Sequence, residues 1–291
     1  MNFTLYAGPF ELKFRWDCQK KPIDLHAASI GFYRTKPENP LAQVRFNILL
    51  PTDSLSAAPD QAVELPQNWR VWQQPGGKII LQVWSGLTSE YAIEAVIDPG
   101  FHSADIRCLS SHPTKGRLEF LIATVGVWVI SHTVTKYGGF MLHSASILQP
   151  DGTVLLGSGQ SGAGKSTLSQ FFASDERYKL LSDETTLVVK QNGQFFAYGT
   201  PWHGILMHGA NAGGPVDTMY FLAKTPENQI QEIARSAATV RILREIFLPP
   251  WNAAITETVL DAMTDFVEHV PYKILGFKKS KDVVTFLEEH A

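Results

Sequence analysis

A nine-residue stretch in the middle of the chain decides how the rest of the sequence is interpreted. It reads Gly159-Gln160-Ser161-Gly162-Ala163-Gly164-Lys165-Ser166-Thr167 and matches the phosphate-binding loop pattern G-x-x-x-x-G-K-[ST] in full. An apolar run, residues 153–156, precedes it, and a helix-compatible run, residues 168–172, follows it. In such a loop the backbone N–H groups and the helix N-terminus converge on phosphate oxygens. We therefore predict a nucleotide-phosphate site in which Lys165 reaches the outer phosphates and Ser166 places its hydroxyl on Mg²⁺.

The composition is that of a globular protein with a substantial core. Apolar residues make up 44% of the 291 residues and charged residues 18%, and the net charge is −3. This charge argues weakly against nucleic acid as the main partner. The two cysteines, Cys18 and Cys108, form no C-x-x-C pair, which fits a reducing cytosol and argues against a cysteine-based zinc site.

The sequence also bears on where the protein works. Residues 1–5 lack the basic region and apolar core of a signal peptide. The longest apolar stretch, residues 120–130, is about half of the roughly 20 residues that a membrane span needs. We expect a cytoplasmic protein without a membrane partner, and a homo-oligomer is compatible with the sequence.

Two regions are predicted along the chain. Residues 1–115 form a β-rich N-terminal domain of unknown role, because apolar and polar residues alternate at 10–16 and 43–49 and, in part, at 78–84. Residues 116–291 form an α/β phosphate-loop domain. It begins with a mostly apolar helix, residues 117–136, whose β-branched content leaves a strand open as the alternative.

The elements around the phosphate loop are predicted in more detail. Two apolar runs joined by the turn at residues 149–152 make a hairpin directly before the loop, an unusual entry for a phosphate-loop protein. After the loop we expect the elements that follow in chain order: a helix at 165–173, a strand at 178–182, a hairpin at 186–198, a strand at 217–223, helices at 234–247 and 256–269, a strand at 272–277 and a helix at 282–289.

An acidic pair, Asp183-Glu184, follows the strand at 178–182. At a Mg²⁺-nucleotide site one carboxylate holds the metal shell while another acts as base. Only 17 residues separate Lys165 from Asp183, enough for one helix and one strand. ATPase motors place their acidic strand farther on, so the spacing favours a compact kinase-like site over a motor.

Together these motifs resemble the HPr kinase/phosphorylase family and its wider group of HPr-kinase-like proteins, which is related in fold to phosphoenolpyruvate carboxykinase. The resemblance covers residues 142–184: a histidine on the strand before the loop, the loop itself, and an acidic pair after the next strand. Glu184 stands where the family has a second Asp.

The resemblance implies roles for three residues and a fold. Asp183 is the catalytic acid/base carboxylate, Glu184 is a Mg²⁺ ligand, and His143 lies beside the transferred phosphoryl group, with Lys165 and Ser166 acting as stated above. The implied fold is a phosphate-loop kinase domain of the HPr kinase/phosphoenolpyruvate carboxykinase-like type behind the β-rich N-terminal domain.

Other candidate residues have less specific interpretations. His203 and His208 lie in a glycine-rich segment, residues 199–215, that we interpret as a surface loop, with substrate contact as the alternative. Arg235, Arg241 and Arg244 are candidates for a phosphate clamp. Because Arg241 and Glu245 are four residues apart, we favour a solvated helix pair there.

The predicted function is transfer of phosphate from ATP, with Mg²⁺, to a hydroxyl group, most readily the serine of a protein or peptide. Two alternatives remain open. A small-molecule kinase is favoured if residues 199–215 enclose a pocket, and a nucleotide-binding regulatory module without transfer is favoured if Asp183 points away from the phosphates.

Overall fold

The computed structural model describes residues 2–16, 32, 36–37, 40–66, 68–84, 91–111, 118–202, 204, 206 and 209–290. Cys18, His203 and His208 lie outside these residues, so the interpretations that concern them stay predictions. The described residues form a mixed α/β protein, rich in strands, with two sheets.

The first sheet contains eight strands from the N-terminal part of the chain. They are β1 (Asn2–Ala7), β2 (Phe10–Trp16), β3 (Ala42–Ile48), β4 (Val63–Leu65), β5 (Trp69–Gln73), β6 (Ile79–Trp84), β7 (Tyr91–Ile97) and β8 (Ser103–Cys108). Their order in the sheet is β1-β2-β3-β8-β7-β6-β5-β4, so β1 and β4 form the edges. The strands predicted at 10–16, 43–49 and 78–84 are confirmed within one residue at either end.

One face of this sheet is apolar, as alternation in the strands predicts. In β2 the side chains of Phe10, Leu12 and Phe14 are buried. Phe14 stacks between Phe3 and Phe46, with ring centroids 4.7 Å apart on each side. Stacks of this kind across neighbouring strands stabilise both the pairing and its register.

A mostly helical segment, residues 118–137, covers that apolar face. It consists of α1 (Leu118–Leu121), a π-helical turn (Ile122–Gly126), α2 (Val127–Thr133) and a 3₁₀ turn (Val134–Tyr137). The predicted helix at 117–136 is confirmed, and the strand alternative is wrong. The segment ends at Gly138, whose φ of 62° is left-handed, a conformation that is common just after the last turn of a helix.

The second sheet contains the phosphate-loop region. Its strands are β9 (Phe140–Leu148), β10 (Val154–Ser158), β11 (Lys179–Ser182), β12 (Thr185–Gln191), β13 (Gln194–Tyr198), β14 (Gly213–Lys224), β15 (Gln229–Gln231) and β16 (Tyr272–Phe277). The strand order is β10-β9-β12-β13-β14-β16-β15, β11 pairs with β9, and β10 also pairs with β14. Strand β10 is therefore antiparallel to β9 on one side and parallel to β14 on the other.

Four helices follow in this part of the chain. They are α3 (Lys165–Ala173), α4 (Arg235–Leu243), α5 (Ala253–His269) and α6 (Asp282–His290). The helix predicted at 234–247 ends four residues early, because Glu245 and Phe247 make backbone hydrogen bonds to β9 instead. The other predicted helices and strands of this region are present, and the strand at 217–223 is longer than expected.

Both faces of the second sheet are buried. Leu156 belongs to the core under α4 and α5, and its neighbour Leu155 belongs to the core under α3 and α6. A strand buried on both faces reads as a continuous apolar run, as residues 154–156 do. Among the described helices, none is both long and apolar enough to cross a membrane. The cytoplasmic location stays a prediction.

The two sheets share one hydrophobic core. Residues of the first sheet and of segment 118–137 pack together with Met141, Leu187 and Val189 of the second sheet. The backbone N–H of Gly8 also donates to Asn211 Oδ1 at 3.0 Å across the contact. The domain boundary at residue 115 stays a prediction, and the shared core means that the two parts pack closely.

A buried histidine ties segment 118–137 to the chain before α5. His132 is 2% exposed; its Nδ1 lies 2.6 Å from the carbonyl oxygen of Trp128, and Trp251 Nε1–H donates to its Nε2 at 2.8 Å. Because a carbonyl only accepts and an indole N–H only donates, the proton of the neutral ring is on Nδ1. Burial lowers the pKa of His132 to about 4, against the opposing effect of the Trp128 hydrogen bond.

We predict that this histidine makes the protein less stable in acid. The pKa is 6.5 for the unshifted group and about 4 in the folded protein, so the unfolded chain binds the proton first as the pH falls. The stability is present above pH 6.5 and is lost as the pH falls to about 4, by about 3 kcal/mol at most. Urea unfolding of wild type and His132→Gln between pH 7 and pH 4 measures the difference. His102→Gln, which replaces an exposed histidine between β7 and β8, is the control. The same pH dependence in wild type and His132→Gln would contradict this account.

Candidate functional site

The predicted phosphate loop connects the end of β10 to the start of α3. Gly162 and Gly164 have left-handed φ values of 82° and 117°, which the curled loop backbone requires. A Cβ atom on Gly164 would lie 2.7 Å from the ring of Phe277, while one on Gly162 would meet nothing within 4 Å. The expected strand and helix on the two sides of the loop are confirmed; phosphate binding itself stays a prediction.

Lys165 is held at the inner side of this loop. The residue is 8% exposed, and its ammonium group donates a hydrogen bond to the carbonyl oxygen of Gly159, the first residue of the loop. Ser166, in the first turn of α3, is partly exposed. The lysine therefore bridges the loop from end to end, with its charge beside the backbone that would surround a phosphate.

Strand β9 places His143 next to the end of β10. Ser158, the last residue of β10, pairs with Ser144, and its hydroxyl donates to the carbonyl oxygen of His143 at 3.2 Å. On the N-terminal side of Ser144, the same edge of β9 pairs with Glu245 instead of β10. The carbonyl oxygen of Glu245 accepts the His143 N–H at 2.8 Å. His143 thus lies where β9 changes its partner on this edge.

The opposite edge of β9 changes partner at nearly the same place. Strands β11 and β12 both run antiparallel to β9, with a register shift between Leu180 and Ser182. Only Asp183 and Glu184 lie between the two strands, and the Ser144 N–H donates to the Glu184 carbonyl oxygen at 3.1 Å. The acidic pair therefore lies at an interruption in one long strand rather than at a free strand end, an arrangement frequent near active sites.

Asp183 points into the protein and holds the following loop. The residue is 1% exposed, and its two carboxylate oxygens accept the backbone N–H groups of Gly204 and Leu206, each at 2.8 Å. The two N–H donors thus give both carboxylate oxygens a hydrogen-bond partner in this buried position. The catalytic role predicted for Asp183 stays a prediction, and the structure gives it a clear anchoring contact.

Glu184 contacts His143. Its side chain is 45% exposed, and its Oε1 lies 3.0 Å from His143 Nε2. The other ring nitrogen, Nδ1, lies 3.2 Å from Oε2 of Glu245, whose side chain is only 8% exposed. The imidazole is therefore flanked by two carboxylates, and both nitrogens can donate at once only when the ring carries both protons.

Glu245 is the residue that the sequence did not predict. The four-residue spacing suggested a solvated pair with Arg241, and that interpretation is wrong because the Glu245 carboxylate is buried and bonds His143. No local signal identifies it, since the contact joins residues 102 positions apart. Arg235 pairs with Glu268 at 3.1 Å, whereas Arg241 lies over the ring of Phe221 at 5.6 Å.

Cavities bounded by described residues lie next to the phosphate loop and His143. The first, about 560 Å³, is bounded by the phosphate loop (residues 159–163), β14 and the side chains of Arg241, Arg244 and Glu245. A second, about 580 Å³, contains His143 and Glu184 and shares Arg244 and Glu245 with the first. The third, about 260 Å³, lies at the start of α3 and is lined by Gly164, Thr167, Lys224, Thr225, Phe277 and Lys279.

The described residues contain no group of three or more His, Cys, Asp or Glu side chains arranged to hold a metal ion. A Mg²⁺ ion bound with a nucleotide does not need such a group, because phosphate oxygens and water supply most of its ligands. Ser166 and Glu184, the predicted ligands, are both partly accessible. These two donors fit a magnesium ion that is bound together with a nucleotide.

The fold and site define a strand-rich α/β protein with a glycine loop between a buried strand and a helix. The family model described as SynChlorMet cassette protein ScmC matches residues 108–278, and the chain belongs to this family. The matched residues include the glycine loop, His143, the acidic pair and Glu245. A search of the curated proteins finds no match.

Among solved structures, the HPr(Ser) kinase/phosphatase from Coxiella burnetii is similar over 52% of this chain and 95% of its own, with 15% identity and a TM-score of 0.30. A TM-score this low does not establish a shared fold. The resemblance to HPr-kinase-like proteins therefore stays a prediction from the sequence motifs.

We predict that Glu245 holds the Nδ1 side of the His143 ring by a hydrogen bond. With Glu245→Ala the Nδ1 atom loses its carboxylate partner while Nε2 keeps Glu184, so the ¹⁵N shift of Nδ1 should change more than that of Nε2. Two-dimensional NMR of ¹⁵N-labelled histidine would record it, and His132, whose partners are untouched, serves as the internal reference. Unchanged His143 signals in the variant would show that the contact does not act on the ring.

Proposed function

We propose that the protein is a kinase that uses ATP and Mg²⁺ to phosphorylate a hydroxyl group, with the serine of a protein or peptide as the acceptor. One observation carries the proposal: the cavity beside the phosphate loop and the cavity that holds His143 and Glu184 share Arg244 and Glu245 as walls. A donor phosphate in one cavity and an acceptor hydroxyl in the other would meet at that shared wall. Phosphoryl transfer depends mainly on such positioning and on charge stabilisation.

The residues around the loop suit a nucleoside triphosphate. Loop N–H groups and Lys165 would bind the phosphates, and Arg241 and Arg244 supply two more positive charges on the far wall of the cavity. The third cavity adjoins the loop through Gly164 and offers the ring of Phe277 and the hydroxyl of Thr225. An aromatic face beside polar groups suits a base and a ribose.

Ser166 and Glu184 are the residues proposed to hold Mg²⁺. When bound, the ion would neutralise phosphate charge during transfer. The remaining steps fall to the protein: Lys165 and the arginines orient the phosphates, and a carboxylate accepts the proton of the acceptor hydroxyl. Asp183 is proposed for that proton by the family resemblance, with His143 beside the phosphoryl group.

A second candidate function is a nucleotide-binding regulatory module without transfer. The contacts of Asp183 favour it, because its two carboxylate oxygens already accept the backbone N–H groups of Gly204 and Leu206. In such a module, nucleotide binding would change the position of Gly204 and Leu206 through their contacts with the acidic pair. A small-molecule kinase stays the alternative from the sequence; the described residues of 199–215 do not line the three cavities named above.

Mutation of the loop tests nucleotide binding. Lys165→Ala removes the cation held in the loop, and Ser166→Ala removes a proposed metal ligand. In calorimetry the first should abolish measurable ATP affinity and the second should weaken the Mg²⁺ dependence of binding. Ser169→Ala is the matched control, because this serine lies on the same helix and its buried hydroxyl has no hydrogen-bond partner among the described residues. Wild-type binding in both loop variants would remove the basis of the proposal.

Mutation of the acidic pair separates the two functions. Asp183→Asn should keep ATP binding and reduce transfer by about 10²–10⁴-fold, the usual effect of losing a general base. Glu184→Gln should raise the Mg²⁺ concentration needed for half-maximal rate. The assay uses labelled ATP with a proteome extract, and Asp261→Asn, an exposed carboxylate on α5, is the control. ATP binding with no transfer by the wild-type protein would favour the regulatory module.

A further inference from the structure

The cavity that contains His143 is much larger than an acceptor hydroxyl requires. Its volume of about 580 Å³ lies within the roughly 300–1,000 Å³ typical of sites that enclose a whole ligand. Four of its polar residues, His143, Glu184, Arg244 and Glu245, belong to the candidate site. The rest of its wall comes from segments that have no part in the predicted chemistry.

These other walls are largely aromatic and apolar. Trp69 comes from the first sheet, Trp128 from α2 and Trp251 from the chain before α5. The indoles of Trp128 and Trp251 stack with centroids 5.7 Å apart. His132 also lines the cavity, but both of its ring nitrogens already have partners, so it leaves no unpaired polar group for a ligand to bond.

These aromatic and apolar walls determine which kind of chemical group can bind in the cavity. A charged group placed among them would lose its hydration without compensation, whereas a flat aromatic ring would stack on the indole faces. The arginine and the carboxylates are confined to the part of the cavity that includes the wall shared with the phosphate-loop cavity. A ligand with an aromatic group and a nearby hydroxyl would match both parts of the cavity.

The sheet next to the cavity suits a polypeptide. Strand β4 forms an edge of the first sheet, and no described strand pairs with its outer side. Its last residue, Leu65, and the following Pro66 line the cavity. An extended peptide can add to an exposed strand edge through backbone hydrogen bonds while its side chains enter neighbouring pockets.

We propose that this cavity binds a bulky aromatic side chain close in sequence to the acceptor serine, and that the N-terminal sheet contributes to acceptor recognition through Trp69. This inference rests on the proposed kinase function. It assigns the substrate class as a peptide or protein segment in which an aromatic residue lies at a fixed distance from the serine.

A peptide array tests the proposal with two separate readouts. Each peptide carries one central serine, and each flanking position in turn is Trp, Phe, Leu, Ala or Glu. Bound labelled protein and phosphate transferred from labelled Mg-ATP are both measured. An aromatic residue at one fixed offset should raise binding about tenfold over Ala, the size expected for a buried aromatic anchor.

Variants of Trp69 test whether this residue causes the preference for an aromatic residue in the peptide. Trp69→Ala should reduce the preference for an aromatic residue, so that peptide binding falls to within about twofold of that of the peptide with Ala at the same position. Trp69→Leu, which keeps an apolar side chain, should have the same effect and serves as the second variant if the alanine variant does not fold. Trp84→Ala is the matched control, because this tryptophan lies on the neighbouring strand β6 and does not line the cavity.

The two readouts distinguish the failures. Aromatic preference in binding that depends on Trp69, without transfer, supports the cavity assignment and contradicts the kinase proposal. Transfer without any flanking preference, or a preference that persists in both Trp69 variants, overturns the cavity assignment alone. Absence of peptide binding overturns it as well, including the case where only small hydroxyl compounds are phosphorylated.

Discussion

The site depends on the pairing of one strand, β9, whose two edges change partner almost opposite each other. One edge passes from Glu245–Phe247 to β10 at His143, and the other passes from β12 to β11 at Asp183-Glu184. Because buried backbone N–H and C=O groups must be paired, β9 can exchange one partner for another only where one partner segment ends and the next begins. The phosphate loop, the acidic pair and Glu245 are therefore brought to one level of the sheet.

This convergence concentrates charge in a small, partly buried volume. Two carboxylates flank His143, and Asp183 lies next to one of them in the chain. Asp183 is compensated by backbone N–H groups, Glu184 by the imidazole and solvent, and Glu245 by the imidazole. A buried carboxylate without such a partner would be strongly destabilising. The strand pairing of β9 thus also determines which carboxylate remains accessible to a ligand. That carboxylate is Glu184.

The sequence predicts the local elements well because their signals are local. Turn residues such as Asn192-Gly193, with φ values of 50° and 82°, mark hairpins wherever they occur, and the glycine loop carries its own flanking strand and helix. Long-range pairing leaves no such signal. The pairing of residues 245–247 with β9 takes the place of a predicted helical turn, since tertiary hydrogen bonds outweigh a weak helical preference.

The candidate site shows the same difference between residues that belong to local motifs and residues that meet through long-range contacts. His143, Asp183, Glu184 and the loop were predicted because each belongs to a short motif, and the structure brings His143 and Glu184 into contact. Glu245 and the aromatic cavity were not, because their residues come from segments far apart in the chain. The parallel pairing of β2, β3 and β8 in the first sheet was equally beyond the sequence pattern.

The shared core between the two sheets explains how the N-terminal region can take part in the site. Segment 118–137 packs on the first sheet, and through His132 it also holds Trp251, which follows Glu245 by six residues. A shift of the first sheet would therefore be transmitted by close-packed side chains to the chain that carries Glu245, since packed interiors yield little volume. The geometry of His143 and its two carboxylates thus depends on residues 1–115 as well as on the phosphate-loop region. A fragment that lacks those residues would expose the apolar side of segment 118–137 and leave the Glu245 segment without one of its supports.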